Sequence, residues 1–174
     1  MIVMLTHRTV LANRLIIMKT YRPTTPSRRH MKGYDFSSLS DVKPLKSLKG
    51  GFRRSYGRNN GGLITSKRRG GGAKRLFRYV DFRQSVFDIP AEVAAIEYDP
   101  NRTSRIALLH YRNGLKSYII AAQDMKVGDV IVVSERAPIR PGNRIRLKNI
   151  PQGTIVHNIE LFPNQGGKVV RSAG

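Results

Sequence analysis

Along the 174-residue chain, apolar positions from about residue 76 onward fall into short runs separated by turn residues. Residues 76–82 are aromatic-rich, 93–98 form a short apolar run, and 105–111 lead through Asn113-Gly114 into a further run at 115–121. Asn-Gly between two such runs predicts an antiparallel hairpin with a type I′ turn, whose central residues both need φ > 0. Asp99-Pro100-Asn101 supplies the preceding turn, because Asp accepts a backbone hydrogen bond and Pro presets φ. Further strands are predicted at 130–134, 145–148 and 154–162, bounded by Gly128-Asp129, Pro141-Gly142 and Pro151-Gln152-Gly153. Residues 91–95 fit a single helical turn as well as a strand. Short strands at regular spacing, with no long amphipathic stretch and no internal repeat, predict an all-β fold built as a small barrel.

Upstream of residue 76 the reading is different. Pro23, Pro26 and Pro44, with Ser and Thr around them, argue against regular elements and predict an extended arm. The core is expected from 76–162 alone, and the arm is expected to be protease-sensitive in the free protein. Leu15-Ile16-Ile17-Met18 is closed by Arg14 and Lys19, far short of the ~18 apolar residues of a membrane span. Residues 1–18 hold His7, Arg8 and Arg14 but no acid, the composition of a targeting segment; a start at Met18 with an extension before it fits as well.

Charge sharpens this division. Lys and Arg number 32 against 11 Asp and Glu, a formal net charge of +21. Residues 1–90 carry 20 basic and 4 acidic side chains, and residues 91–174 carry 12 and 7. Between 49 and 83 stand 11 basic residues against Asp81 alone, together with 8 of the 16 glycines. A field of this sign draws polyanions, so nucleic acid is the expected partner. The centre of the pattern is Tyr56-Gly57-Arg58-Asn59-Asn60-Gly61-Gly62, followed by Lys67-Arg68-Arg69-Gly70-Gly71-Gly72-Ala73-Lys74-Arg75. Glycine lets the backbone approach phosphates, Arg offers planar bidentate contacts, and Asn can meet base edges or sugars. Cations spaced along a glycine track suit a folded RNA better than a regular duplex. A merely solvated linker would not need so one-sided a charge.

Enzyme readings find little support. The chain has no Cys and no Trp, which excludes disulfides, thiolate metal sites and cysteine nucleophiles. A phosphate loop needs Gly-Lys followed by Ser or Thr, whereas Gly72 is followed by Ala73 and Lys74 by Arg75. Gly70-Gly71-Gly72 does not sit between a buried strand and a helix, as a dinucleotide site requires. His7, His30, His110 and His157 lack zinc spacing. Glu97 and Asp99 could face one side of a strand as an acid–base pair, but in so cationic a chain salt bridges to Arg are expected. Asn101-Arg102-Thr103 fits the glycosylation pattern and is read as part of a turn. Phe77, Tyr79, Tyr98 and Tyr111 are candidate stacking platforms, most of them expected in the core.

Several segments in register carry a family resemblance. Tyr21-Arg22-Pro23-Thr24-Thr25-Pro26-Ser27-Arg28-Arg29, Gly57-Arg58-Asn59-Asn60, Arg69-Gly70-Gly71-Gly72 and Ile96-Glu97-Tyr98-Asp99-Pro100-Asn101-Arg102 come first. Ile106-Ala107-Leu108-Leu109-His110-Tyr111, Asn149-Ile150-Pro151 and Val156-His157-Asn158-Ile159-Glu160-Leu161 follow. From Lys19 to Gly174 the chain resembles the N-terminal two-thirds of large-subunit ribosomal protein L-two. The resemblance implies an OB-like β-barrel over 76–153, a basic rRNA-threading extension over 19–75, and the start of a truncated SH3-like barrel over 154–174. It departs from the family at Ala73, where His is usual, and at Leu63, where Arg is usual; Arg68, Arg144 and Arg146 are extra cations that could compensate.

The expected function is that of a non-enzymatic constituent of the large ribosomal subunit that binds rRNA and supports subunit assembly and the peptidyl-transferase region. The expected RNA-binding residues are Arg28, Arg29, Arg53, Arg54, Arg58, Asn59, Asn60, Lys67, Arg68, Arg69, Gly70, Gly71, Gly72, Lys74, Arg75, Arg78 and Arg102. No cofactor or metal is expected. Expected partners are large-subunit rRNA, neighbouring ribosomal proteins and a separate C-terminal fragment of the same family, which would pair with the strand at 154–162. A mitochondrial ribosome is the expected location, with plastid or bacterial cytoplasm as alternatives. The rival reading is a free single-strand or architectural nucleic-acid binder.

Overall fold

The computed structural model describes residues 2–6, 19–52, 54 and 56–173, the first of these segments as backbone only. In chain order the elements are β1 (Ile2–Thr6), β2 (Lys19–Thr20), α1 (Pro26–Arg29), β3 (Lys32–Gly33), β4 (Lys49–Gly51), β5 (Leu76–Arg78), β6 (Ala91–Glu97) and β7 (Ile106–Tyr111). They continue with β8 (Lys116–Ile120), β9 (Val130–Ile131), β10 (Arg144–Arg146) and β11 (Ile155–His157). The fold is all-β apart from the single turn of α1 and a 3₁₀ turn at Leu147–Asn149. Among the described residues no helix is long and apolar enough to cross a membrane.

The centre is a four-stranded antiparallel sheet in the order β8-β7-β6-β9. β6 settles the ambiguity at 91–95 in favour of a strand: Ala91, Val93, Ala95 and Glu97 are buried, and the strand pairs with β7 on one side and β9 on the other. Ladder pairing along β7, joined by β9 at Ala91 and Glu92, satisfies backbone groups that an isolated helical turn leaves unpaired. A bulge between Val93 and Ala95 shifts the register, and such an extra residue increases local twist and bends a sheet toward closure.

The β7–β8 hairpin forms where Asn113-Gly114 predicts it, but its turn is of another type. Gly114 alone of the pair has positive φ, at +84°. Its N–H donates to Tyr111 O at 2.9 Å, and Tyr111 N–H donates to Leu115 O at 2.9 Å. That is a three-residue loop closed by a glycine bulge. Asn113 acts through its side chain instead, accepting from Leu115 N–H at 3.1 Å.

β7 is buried along Ile106, Ala107, Leu108 and Leu109 because both sheet faces are covered. One face packs Val93, Leu109, Ile119, Met125 and Ile131. The other packs Ala95, Ile106, Leu108 and Tyr118 beneath Leu45, Leu48 and Val80. Leu45 and Leu48 belong to the basic arm, so the core draws on residues well before 76. β4 pairs with β5 from Lys49↔Arg78 to Gly51↔Leu76, and Val80 bridges to Tyr118 in parallel. Together these strands make a half-open barrel of the OB kind.

Tyr118 is the polar centre of the second face. Its hydroxyl donates to the Glu97 carboxylate at 3.0 Å and accepts from Leu45 N–H at 3.2 Å. Burial pushes the Tyr118 hydroxyl up to about 12, and burial also raises Glu97 above the usual carboxylate range. Tyr118→Phe is expected to cost about 1–3 kcal/mol, because it leaves Glu97 buried without its donor; urea titration of both proteins checks it.

Beyond the central sheet, the strands are shorter than their sequence pattern. β10 ends at Arg146 in the 3₁₀ turn, and β11 ends at His157 because Asn158 turns left-handed, at φ +52°. β1 lies between them, pairing antiparallel with β10 from Ile2↔Arg146 to Met4↔Arg144 and with β11 from Met4↔His157 to Thr6↔Ile155. This corrects the expectation that the strand at 154–162 must take its partner from another polypeptide: β11 pairs with the chain's own N-terminal strand. Residues 7–18, the rest of the expected extension or targeting segment, lie outside the described residues.

Arg144 and Glu160 join this region to the barrel. Arg144, 2% exposed, donates to Gln84 O at 3.1 Å and forms an ion pair with Glu160, 1% exposed. Glu160 also accepts from Gly166 N–H at 2.9 Å and Asn164 N–H at 3.2 Å. Arg144 therefore cannot offer the compensating RNA contact its sequence position suggested. Arg146 is exposed and pairs with Glu135.

Candidate nucleic-acid interface

The glycine-rich basic stretch folds into a compact loop that holds its cations outward. Gly57 begins it with φ +70°, and a Cβ there would strike the Ser66 carbonyl. The Gly57 carbonyl accepts from Thr65 N–H at 2.9 Å and Ser66 N–H at 3.1 Å, and Arg58 bridges to Ile64. At the tip, Asn59 Oδ1 accepts from Leu63 N–H at 2.9 Å and Gly62 N–H donates to Asn59 O at 3.0 Å. Gly70, Gly71 and Gly72 are all left-handed, and a Cβ on Gly70 would meet the Tyr56 ring at 2.6 Å. Glycine is thus required here by backbone conformation and by the packing of Tyr56.

Every residue from 58 to 76 is exposed, and this stretch carries Arg58, Lys67, Arg68, Arg69, Lys74 and Arg75 with no carboxylate. None of the ion pairs found among the described residues uses any of the six. Arg28 and Arg29 stand apart on α1, which Thr25 caps by accepting from Arg28 N–H at 3.3 Å. Both are exposed, and the Arg28 guanidinium lies 5.5 Å from the Tyr21 ring centre.

Several expected RNA ligands have other occupations. The Arg54 guanidinium binds the carbonyls of Gly71, Gly72 and Ala73, so it shapes the glycine turn. Arg58 donates to Gly62 O at 2.7 Å and Arg75 to Pro100 O at 3.2 Å. Asn59 uses its amide oxygen for the turn, while Asn60 is exposed beside it. Arg78 is 8% exposed, with its guanidinium on Leu76 O at 3.1 Å, and so faces inward from β5. Arg102 is drawn down onto Asp99 at 2.6 Å and over the Phe82 ring at 5.5 Å. Arg53 lies outside the described residues.

The carboxylate pair does not form. Glu97 is held under Tyr118, whereas Asp99 accepts from Asn101 N–H at 2.9 Å and from Arg102. Both are structural, and Asp99 performs the turn role its sequence neighbours predict. His157 is half-buried, and the desolvation lowers it to about 4 and leaves it neutral at pH 7, outside the cationic surface. Sequence reasoning also misplaced two aromatics. Tyr111 is buried as expected, but Tyr79 and Tyr98 are exposed. Tyr79 lies over β4, where a Cβ on Gly50 would meet its hydroxyl at 2.5 Å; the adjacent glycines Gly50 and Gly51 were the available signal.

Fold and surface together define an OB-like barrel carrying a preformed cationic loop, the build of an RNA-binding module. The family model described as "Ribosomal Proteins L2, RNA binding N-terminal domain" matches residues 45–133, and "Ribosomal Proteins L2, C-terminal domain" matches 140–174. The chain belongs to the ribosomal protein L2 family. It is 53% identical over 157 residues to "Large ribosomal subunit protein uL2" of Ruegeria pomeroyi, a match covering 90% of this chain and 56% of that protein. The proteins of the same name from a second Ruegeria and from Hyphomonas neptunium are 52% and 53% identical, again over 90% of this chain. The chain therefore spans a little over half the length of these bacterial relatives. The family match begins at residue 45, where Leu45 and Leu48 enter the core.

Proposed function

We propose that the chain is a non-enzymatic constituent of the large ribosomal subunit that binds rRNA through the 58–75 loop and α1. In this role it orders rRNA during subunit assembly and supports the peptidyl-transferase region. The observation that carries the reading is the run of six exposed cations without a carboxylate, held by left-handed glycines on a barrel of an RNA-binding family. Polyanion attraction supplies affinity, and a loop already closed on itself lowers the ordering cost of binding. The RNA ligands in this reading are Arg28, Arg29, Arg58, Asn60, Lys67, Arg68, Arg69, Lys74 and Arg75. Gly70, Gly71 and Gly72 allow close approach, and Arg54 and Asn59 hold the loop in shape.

The reading extends to a mitochondrial ribosome, supported by the acid-poor, arginine-bearing composition of 1–18. It also includes neighbouring ribosomal proteins as partners. Sedimentation in high salt tests the central proposal: a subunit constituent stays with the large subunit, whereas a free single-strand or architectural binder washes off. Peptide mapping of the same particles checks the organelle.

A further inference from the structure

Away from the glycine loop, three aromatic rings stand on the surface where the arm crosses the end of β6. Tyr34, Phe36 and Tyr98 are 72%, 48% and 44% exposed. Tyr34 and Phe36 lie 6.4 Å apart, and Phe36 meets Tyr98 edge-on at 5.3 Å. Arg105 is inserted beside the last two, 5.2 Å from the Phe36 ring centre and 5.8 Å from that of Tyr98. Its guanidinium is held by Asp35 O at 3.1 Å.

Strand periodicity explains why Tyr98 faces out: Glu97 before it is buried, so the next side chain points away from the core. Phe36 is brought to it by a pinned loop. The Asp35 carboxylate accepts from Ser37 N–H at 2.9 Å and Ser37 Oγ–H at 2.8 Å, which lowers its pKa and keeps it ionised. Ser40 N–H donates to Ile96 O at 2.9 Å, and Ile96 N–H donates back to Ser40 Oγ at 3.2 Å. The rings are therefore pre-positioned, with little entropy left to lose on contact.

We propose that Tyr34, Phe36 and Tyr98, with Arg105 between them, form a ledge on which an unpaired RNA base stacks. The proposal rests on the RNA-binding reading above and assigns a second site to it. Exposed rings with a guanidinium between them present the faces that nucleobases stack on, and the cation is matched to a nearby phosphate. The charge around the ledge favours a polyanion. Lys32 precedes it in β3, Lys19 pairs across from Gly33, and Arg75 of the glycine loop reaches Pro100 O just beyond Tyr98. Of the acids nearby, Asp99 is paired with Arg102, while Asp35, hydrogen-bonded by Ser37, keeps its charge and Asp41 is exposed. The link through Arg75 places the ledge beside the cationic loop, so one RNA segment can touch both.

The test uses the full chain and a short single-stranded RNA with one 2-aminopurine, whose fluorescence falls on stacking. Tyr98→Leu and Phe36→Leu are expected to weaken binding about tenfold or more each and to abolish the quenching, leaving the salt slope unchanged. Tyr98→Phe should keep both. Tyr34→Leu changes the most exposed ring, so it reports on stacking even if the other two variants fold poorly. Replacing Lys67, Arg68 and Arg69 with Ala should do the reverse, lowering the salt slope and preserving quenching in the bound complex. If the leucine variants bind and quench as the unaltered protein does, the ledge is refuted and RNA binding by the loop stands. If the unaltered protein does not bind the RNA, both proposals fall.

Discussion

Replacing Glu160 with Gln is expected to destabilise the chain by about 3–5 kcal/mol, since removing one partner of a buried ion pair strands the other charge. Arg144 would keep Gln84 O but lose its counter-charge, in a site where both side chains are almost wholly enclosed. A domain of ordinary stability has only about 5–15 kcal/mol to lose, so the effect should be visible as a large drop in the urea midpoint. Because Glu160 also receives Gly166 and Asn164 N–H, protease should cut first near residues 160–167. The double replacement Arg144→Met with Glu160→Leu should recover much of the loss, because two well-packed apolar side chains carry no desolvation cost. An unchanged midpoint for Glu160→Gln would show that the pair contributes nothing.

Substituting Lys67, Arg68 and Arg69 together by Ala is expected to weaken rRNA binding on the order of a hundredfold at low salt, with stability nearly unchanged. Six exposed cations in the loop and two on α1 would neutralise about eight phosphates, implying a slope of log K against log salt near −6 to −7. Losing three contacts should bring that slope about 2–3 units closer to zero. Filter binding over a range of salt measures it, and a slope near zero in the unaltered protein would remove the electrostatic account. All three side chains lie in the exposed loop, so the unfolding free energy from urea titration is expected to stay within about 0.5 kcal/mol of the original.

Local chemistry was legible throughout. The hairpin at Asn113-Gly114 and the Asp99 turn depend on neighbours a few residues away, and the structure places both where the pattern does. The outward cationic loop was legible for the same reason, since eleven charges against one in a short window cannot all be buried. Even the failure of type I′ at the hairpin is local: Gly114 carries the positive φ by itself, and Asn113 contributes a side-chain bond instead.

Which charges and rings left the surface was decided only in three dimensions. Arg78 and Arg144 read as further cations of a basic chain, yet both are buried, Arg144 because Glu160 and Gln84 reach it from distant parts of the sequence. Leu45 and Leu48 read as isolated apolar residues in an irregular arm, until Tyr118 supplies a hydroxyl to Leu45 N–H and the second sheet face supplies the packing. β11 found its partner in Ile2–Thr6 at the opposite end of the chain. Composition and periodicity determined that this is a cationic all-β protein with an exposed basic loop, because conformational preference and charge act over a few residues. Tertiary structure chose which cationic side chains and rings remain exposed, because burial depends on contacts between residues that sequence order does not bring together.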